Sequence, residues 1–362
     1  RLAWYSRSFM PSPCLPAAGM STGEGKHRDA VRLEALPEDE VVGETARSLY
    51  RDAREMLDTL IREQWLSARA VFALWPANAD GDDVLVYDDE DRGEVRERLC
   101  FLRQQRAKAA GRANRCLADY VAPAETGLSD HLGLFAVTAG LGIERKLEEF
   151  AAQHDDYRDI LLKALADRLA EAFAEHLHQR VRKEFWGYAG NETLDNEALI
   201  AEHYRGIRPA PGYPACPDHT EKQTLWDLID PAGNAGITIT ESFAMLPAAS
   251  VSGLYFSHPE SAYFGTGKIG RDQVEDYAAR KDMSVEENLE LGGWTFRNDT
   301  RISETPVEDD DRISFGKSVF VFSWGDVGSL CQDTSRSVIQ GDCAASILPA
   351  SDEYYDHATG EF

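Results

Sequence analysis

Three short patterns in the 362-residue sequence carry residue types that do chemistry. Cys216 and His219 stand at the C-x-x-H spacing that suits zinc. A structural zinc needs four ligands, and no second pair follows at short spacing; His203 and His258 stand alone, so no metal is expected. Nothing in the sequence supplies a base for Cys216 either, which argues against an activated thiol. Residues 265–270, "GTGKIG", fit G-x-G-x-x-G between the strand-like "AYF" and a helix, the placement of a dinucleotide fingerprint. No second strand of a βαβ unit follows, and Glu286, Glu287 and Glu290 lie in a helical pattern. The stretch reads as a turn capping a helix. Asp167 and Glu171 share one helix face, four residues apart, beside Leu165, Leu169, Ala172 and Phe173. That pair is either a solvated face or a carboxylate pair meeting a cation at a pocket edge, and spacing leaves both open.

The stiffest segment is "RPAPGYPACPDHTEK", residues 208–222. Pro209, Pro211, Pro214 and Pro217 exclude a helix and would each remove a donor from a sheet ladder. Such a loop holds something in place.

Composition limits what that is. A formal charge of −25 opposes nucleic acid and anionic membranes as partners. A hydrophobic fraction of 43% is that of a globular protein with a proper core. There is no apolar run long enough to span a bilayer. Pro11, Pro13 and Pro16 interrupt any signal-peptide core, and six scattered cysteines make no disulfide framework, so a cytoplasmic location is expected. The first residue is Arg1, as in a fragment.

The elements that position these residues follow from periodicity. Val42, Ala46, Leu49, Ala53, Met56, Leu57 and Leu60 set out a long amphipathic helix, and "YRDILLKALADRLAEAFAEHLHQRVRKEFWG" a second, ending near Gly187. Shorter helices are expected at "NEALIAEHY", "EKQTLWDLI" and "RDQVEDYAARK". Strands are expected at "RAVFALWPA", "DVLVYDD", "HLGLFAVTAG", "GITIT" and "SGLYFSH". Helices cluster instead of alternating with strands, which predicts an α+β fold with a mixed or antiparallel twisted sheet flanked by long helices. Texture divides the chain into an irregular segment 1–31, a main domain 32–290 and a divergent tail 291–362.

The proline-rich loop and its flank, "EALIAEHYRGIRPAPGYPACPDHTEK", resemble the activation domain of cobalamin-dependent methionine synthase. So do "PEDEVVGETARSLYRDAREML", "LWPAN", "FLRQQ", "CLADYVAP", "AQHDDYRDILLKALADRLAEAFAEHLHQRVRKEFWGYA", "ITESFAMLPAASVSGLYFSHPESAYF" and "GKIGRDQVEDYAARKDMSVEE". These blocks keep the family's order over about residues 36–287.

The resemblance implies a C-shaped single domain that binds S-adenosylmethionine in a shallow groove. It implies binding roles for Arg208, Ala210, Gly212, Tyr213, Tyr263, Phe264 and Glu171, and no catalytic nucleophile on the chain. Arg208 would pair with the ligand carboxylate, and Glu171 would approach its amino group or sulfonium. The implied function is reactivation: a flavodoxin-type donor reduces inactive cob(II)alamin, and S-adenosylmethionine methylates it. The cobalamin belongs to a partner module, since "SDHLG" at 129–133 does not fit D-x-H-x-x-G. The homocysteine and folate modules are absent too. Arg180, Arg182 and Lys183 offer a candidate basic patch for an acidic donor. The family's Asp-Trp-x-Pro-Phe-Phe segment, whose Asp contacts the ligand, is missing, and the tail departs from the family near residue 288. The alternative is a non-catalytic S-adenosylmethionine-binding or protein-interaction module.

Overall fold

The computed structural model describes residues 5–9, 40–285, 287–288 and six tail strands, with side chains placed for 43–285, 287 and 288. A long meander organises the domain. Strands β1 (Tyr5–Phe9), β2 (Ser67–Asp80), β3 (Asp83–Tyr87), β4 (Val95–Cys100), β5 (Asp130–Leu141) and β8 (Ser250–Tyr255) form one sheet. Its order is β4-β3-β2-β5-β8, with β1 beside β2, and every pairing is antiparallel. The fold is therefore α+β, and of the two sheet types expected this sheet is the antiparallel one. Tyr5–Phe9 pairs with residues 68–72, which corrects the expectation of an irregular beginning for those five residues.

The apolar run of β5 is explained by cover on both faces, since a strand buried on two sides loses polar alternation. Phe135 and Val137 meet Ala174, Leu177 and Val181 of the helical side, while Leu132, Leu134 and Ala136 meet Leu117, Leu225 and Ile229 opposite. The helical side consists of α1 (Glu40–Glu63), α2 (Ile143–Ala152) and α3 (Asp156–Arg180). Asp155 caps α3 by accepting the Arg158 amide at 3.0 Å, a cap worth about 1 kcal/mol. The stripe foreseen on α1 holds for Met56 and Leu60, but Leu49 is 49% exposed.

Short elements fill the opposite face: α5 (Glu221–Ile229) and α6 (Pro231–Ala235), with a two-residue pairing of β6 (Thr238–Ile239) and β7 (Met245–Leu246); the short α4 (Asn196–Ile200), between α3 and the proline-rich loop in sequence, has no buried residue. Periodicity had not signalled α2, α6 or β4. Helix α7 (Arg271–Arg280) closes the main domain, with Val274 and Tyr277 packed on Cys100 and Leu102. In the tail, β9 (Thr295–Arg297), β10 (Thr300–Ile302), β11 (Arg312–Phe315), β12 (Ser318–Ser323), β13 (Ser337–Ile339) and β14 (Ala345–Pro349) pair among themselves. Strand β12 covers most of the apolar run "SVFVFSW", and the acidic residues 308–311 lie outside the described residues.

Candidate functional site

The proline-rich loop lies along the outer edge of β8, where the sheet ends. Ile207 and Phe256 exchange backbone hydrogen bonds at 3.0 Å, and the Leu254 amide donates to the Pro209 carbonyl at 2.9 Å. Prolines suit such an edge because they accept without having to donate. Gly253 permits the approach: a Cβ there would sit 2.6 Å from the Pro209 oxygen. Beyond Pro209 the chain turns, with the Tyr213 amide on the Ala210 carbonyl at 3.2 Å and the Gly212 amide on the Cys216 carbonyl at 2.8 Å. Gly212 holds φ +92°, and a Cβ on it would lie 2.1 Å from the His219 ring. Only glycine fits there.

Arg208 enters the domain at the start of this loop, its side chain 11% exposed. Nη1 lies 2.7 Å from Glu175 Oε2, a close ion pair without hydrogen-bond alignment. The same Nη1 donates to the Tyr204 hydroxyl at 3.3 Å and to His178 Nδ1 at 3.3 Å. Burial is the largest single influence on Arg208 and opposes its charge, but the fields of Glu175, Tyr204, Tyr263 and Tyr255 together more than offset it and the pKa stands above its ordinary value. His178 is fully buried, and burial, then Arg208 and Arg182, hold its pKa well below 6.5. It is neutral, and because arginine can only donate, the ring proton resides on Nε2.

His178 cannot swing away. Its ring stacks on Tyr255 at 5.0 Å, Tyr255 stacks on Phe135 of β5 at 4.5 Å, and Tyr204 meets it edge-on. Below, α3 passes into a π turn, Val181–Phe185, that carries Arg182 into the interior. There Arg182 makes a bidentate pair with Glu192, both bonds 2.8 Å. The resulting charge set, Arg208, Arg182, Glu175 and Glu192, is balanced. Among the described residues no hydrogen bond uses Arg208 Nε or Nη2, and neither atom is among the sealed polar atoms. One edge of the guanidinium is clamped, and the other stays available.

The remaining expected residues group around that edge unevenly. The Tyr263 hydroxyl accepts the Arg208 amide at 3.0 Å. Phe264 packs on the core and meets Tyr120 edge-on at 6.4 Å. Glu171 lies one turn before Glu175 on α3; burial raises its pKa, and the fields of Arg208 and Arg168 oppose the rise. Ala210, two residues after Arg208, is half-buried, and Tyr213 is 59% exposed at the loop's tip. Asp167, the other carboxylate of the pair, is also raised by burial.

Sequence reasoning missed Glu175, His178 and Tyr204. The available signal was the helical spacing Glu171, Glu175, His178, together with Tyr204 one turn's length before Arg208. Two expectations need correction. Arg182 is fully buried and Arg180 is paired with Glu184 at 2.8 Å, so the patch proposed at 180–183 is not an exposed basic surface. The segment before "GTGKIG" is not a strand, which removes the setting a dinucleotide fingerprint requires. Cys216 is sealed, with its thiol pushed up by burial, and His219 Nδ1 lies 3.2 Å from Lys222 Nζ.

Fold and site thus define a domain that presents a fixed, half-satisfied guanidinium beside a rigid loop at a sheet edge. Residues 27–282 match the family described as vitamin B12 dependent methionine synthase, activation domain, and the chain belongs to that family. Its enzyme is a methyltransferase. The chain is also similar to the crystal structure of the MetH reactivation domain bound to AdoHcy, with 56% identity, a TM-score of 0.67, and coverage of 72% of this chain and 82% of that one.

Proposed function

We propose that this domain binds S-adenosylmethionine at the Arg208 edge and presents its methyl group for reactivation of the cobalamin held by another module of the enzyme. The observation that carries the reading is the half-satisfied guanidinium. Nη1 is fixed by Glu175, Tyr204 and His178, while Nε and Nη2 make the fork that a carboxylate accepts. A positioned fork needs little ordering on binding, as does a loop with prolines at 209, 211 and 214.

Glu171 supplies the complementary charge for the ligand's amino or sulfonium group, and its partial burial strengthens that attraction. Tyr263 fixes the backbone of Arg208. Ala210, Gly212, Tyr213 and Phe264 form the wall along which the nucleoside lies. The bound ligand supplies the methyl group; the chain's own residues hold it in place, a proximity effect. A flavodoxin-type protein supplies the electron. The homocysteine and folate chemistry belongs to other modules, and the enzyme works in the cytoplasm. Among the described residues no helix is long and apolar enough to cross a membrane.

Calorimetric titration with S-adenosylmethionine and S-adenosylhomocysteine, with and without a cobalamin-loaded fragment, tests this. Saturable binding, and methylation of the fragment that depends on Arg208, are expected. Ligand binding with no effect on the fragment would favour the interaction-module reading instead.

A further inference from the structure

Between β4 and the turn at Leu117–Tyr120 the chain makes an excursion, "RQQRAKAAGRANR", residues 103–115. It holds Arg103, Arg106, Lys108, Arg112 and Arg115 and no acid, in a chain whose net charge is −25. Arg103 is neutralised at its base by Asp82 and Asp119. The others are not. Residues 105–113 are exposed, and Arg106, Arg112 and Arg115 have no ion-pair partner among the described residues. Lys108 bonds neutral oxygens, those of Gln104 and Ala113. Desolvation and then the fields of Arg115, Arg106 and Arg112 hold the Lys108 ammonium below its ordinary pKa, so these cations lie close together.

The island has a fixed place. Gln104 donates to the Gly265 carbonyl at 2.6 Å, one residue from Phe264 and two from Tyr263. The Arg106 side chain passes beside Gly267, next to the exposed Lys268. The loop therefore stands at the rim of the candidate ligand site.

We propose that loop 103–115, with Lys268, is the docking face for the acidic surface of the electron-donor protein. This rests on the reading of the domain as a reactivation module. Charge decides the location: an acidic flavoprotein is repelled by a chain of net charge −25 and steered toward a dense cationic island on it. Position agrees, because the electron must reach the place where the methyl donor is held. A nucleic acid fits poorly, since its long phosphate backbone would run onto the surrounding acidic surface.

The test uses the full chain, with an acidic flavodoxin and S-adenosylhomocysteine as probes. The triple variant Arg106→Glu, Arg112→Glu, Arg115→Glu should bind flavodoxin at least about tenfold more weakly at low salt, the gap closing as screening rises. Its affinity for S-adenosylhomocysteine should stay within about twofold, which also reports that it folds. The milder Arg→Gln triple should show a smaller loss in the same direction, and Arg51→Glu with Arg54→Glu on α1 should show none. Flavodoxin affinity unchanged in the Glu triple, with S-adenosylhomocysteine still bound, would overturn the docking face and leave the ligand reading standing. Loop-dependent flavodoxin binding by a chain that binds no S-adenosylhomocysteine would uphold the docking face and sink the ligand reading. Polyuridylate RNA displacing flavodoxin from the loop at lower concentration would make the island a polyanion site and overturn the proposal.

Discussion

The hydroxyl of Tyr263 accepts the backbone amide of Arg208 at 3.0 Å and lies 3.4 Å from the Tyr204 hydroxyl, which in turn accepts Arg208 Nη1 at 3.3 Å. Two tyrosines, 59 residues apart, thus hold both the main chain and the side chain of one arginine. Tyr263→Phe keeps the ring and leaves a part-buried amide without its acceptor. It should weaken S-adenosylmethionine binding and cost about 1–3 kcal/mol of stability, the penalty for an unsatisfied donor. Calorimetry and urea unfolding of the variant check both.

Arg208→Ala removes the fork. Affinity for S-adenosylmethionine should fall by about 1.5–3 kcal/mol, roughly 10- to 150-fold. Arg208→Lys should recover little, because an ammonium cannot occupy the Glu175 side and the ligand side together. An affinity within twofold of the unaltered chain for either variant would take Arg208 out of the site.

Glu175→Gln separates clamping from contact. The substitution leaves two buried arginines against one carboxylate, Glu192. Breaking a buried pair costs about 3–5 kcal/mol, so a substantial drop in thermal stability is expected. S-adenosylmethionine should still bind at a temperature where the variant is folded, though more weakly, since Nη1 is no longer fixed.

Glu171 gives the pH dependence. Its folded pKa is raised by burial, opposed by Arg208 and Arg168 and assisted by Asp167. A carboxyl with a raised folded pKa costs nothing while protonated in both states. The cost develops as pH rises through the unfolded value of about 4.5 and is complete above the folded one. Glu171→Gln should therefore stabilise the ligand-free domain at pH 7 and leave it unchanged at pH 4. The same variant should bind S-adenosylmethionine more weakly at pH 7, because the ligand's cation loses its partner. Equal affinity at neutral pH would exclude Glu171 from the site.

Gly212→Ala forces a side chain into φ +92° and into the His219 ring. The left-handed conformation alone costs about 1–2 kcal/mol, before the clash. Loss of affinity with little change in far-ultraviolet circular dichroism is the expected result.

The α+β class was legible because it depends on local periodicity: the stripes of α1 and α3 and the strand runs of β2, β3 and β5 are properties of short segments. The loop at 208–222 was legible for a similar reason, since four prolines and a glycine restrict the backbone wherever they occur. Family membership was legible too, because long blocks of sequence keep their order. Other features depend on residues far apart in the chain, and these only the tertiary structure decided. Arg182 reads as a surface cation in "HQRVRKEFW", yet the π turn and Glu192 bury it. Tyr255 reads as one more strand residue, yet it is the plate on which His178 stacks. The cations of 103–115 could be counted in the sequence, but their place beside Tyr263 follows from one bond between Gln104 and Gly265, 161 residues apart. Periodicity records how a segment meets water and core; which side chain lies across the interface depends on how distant segments pack.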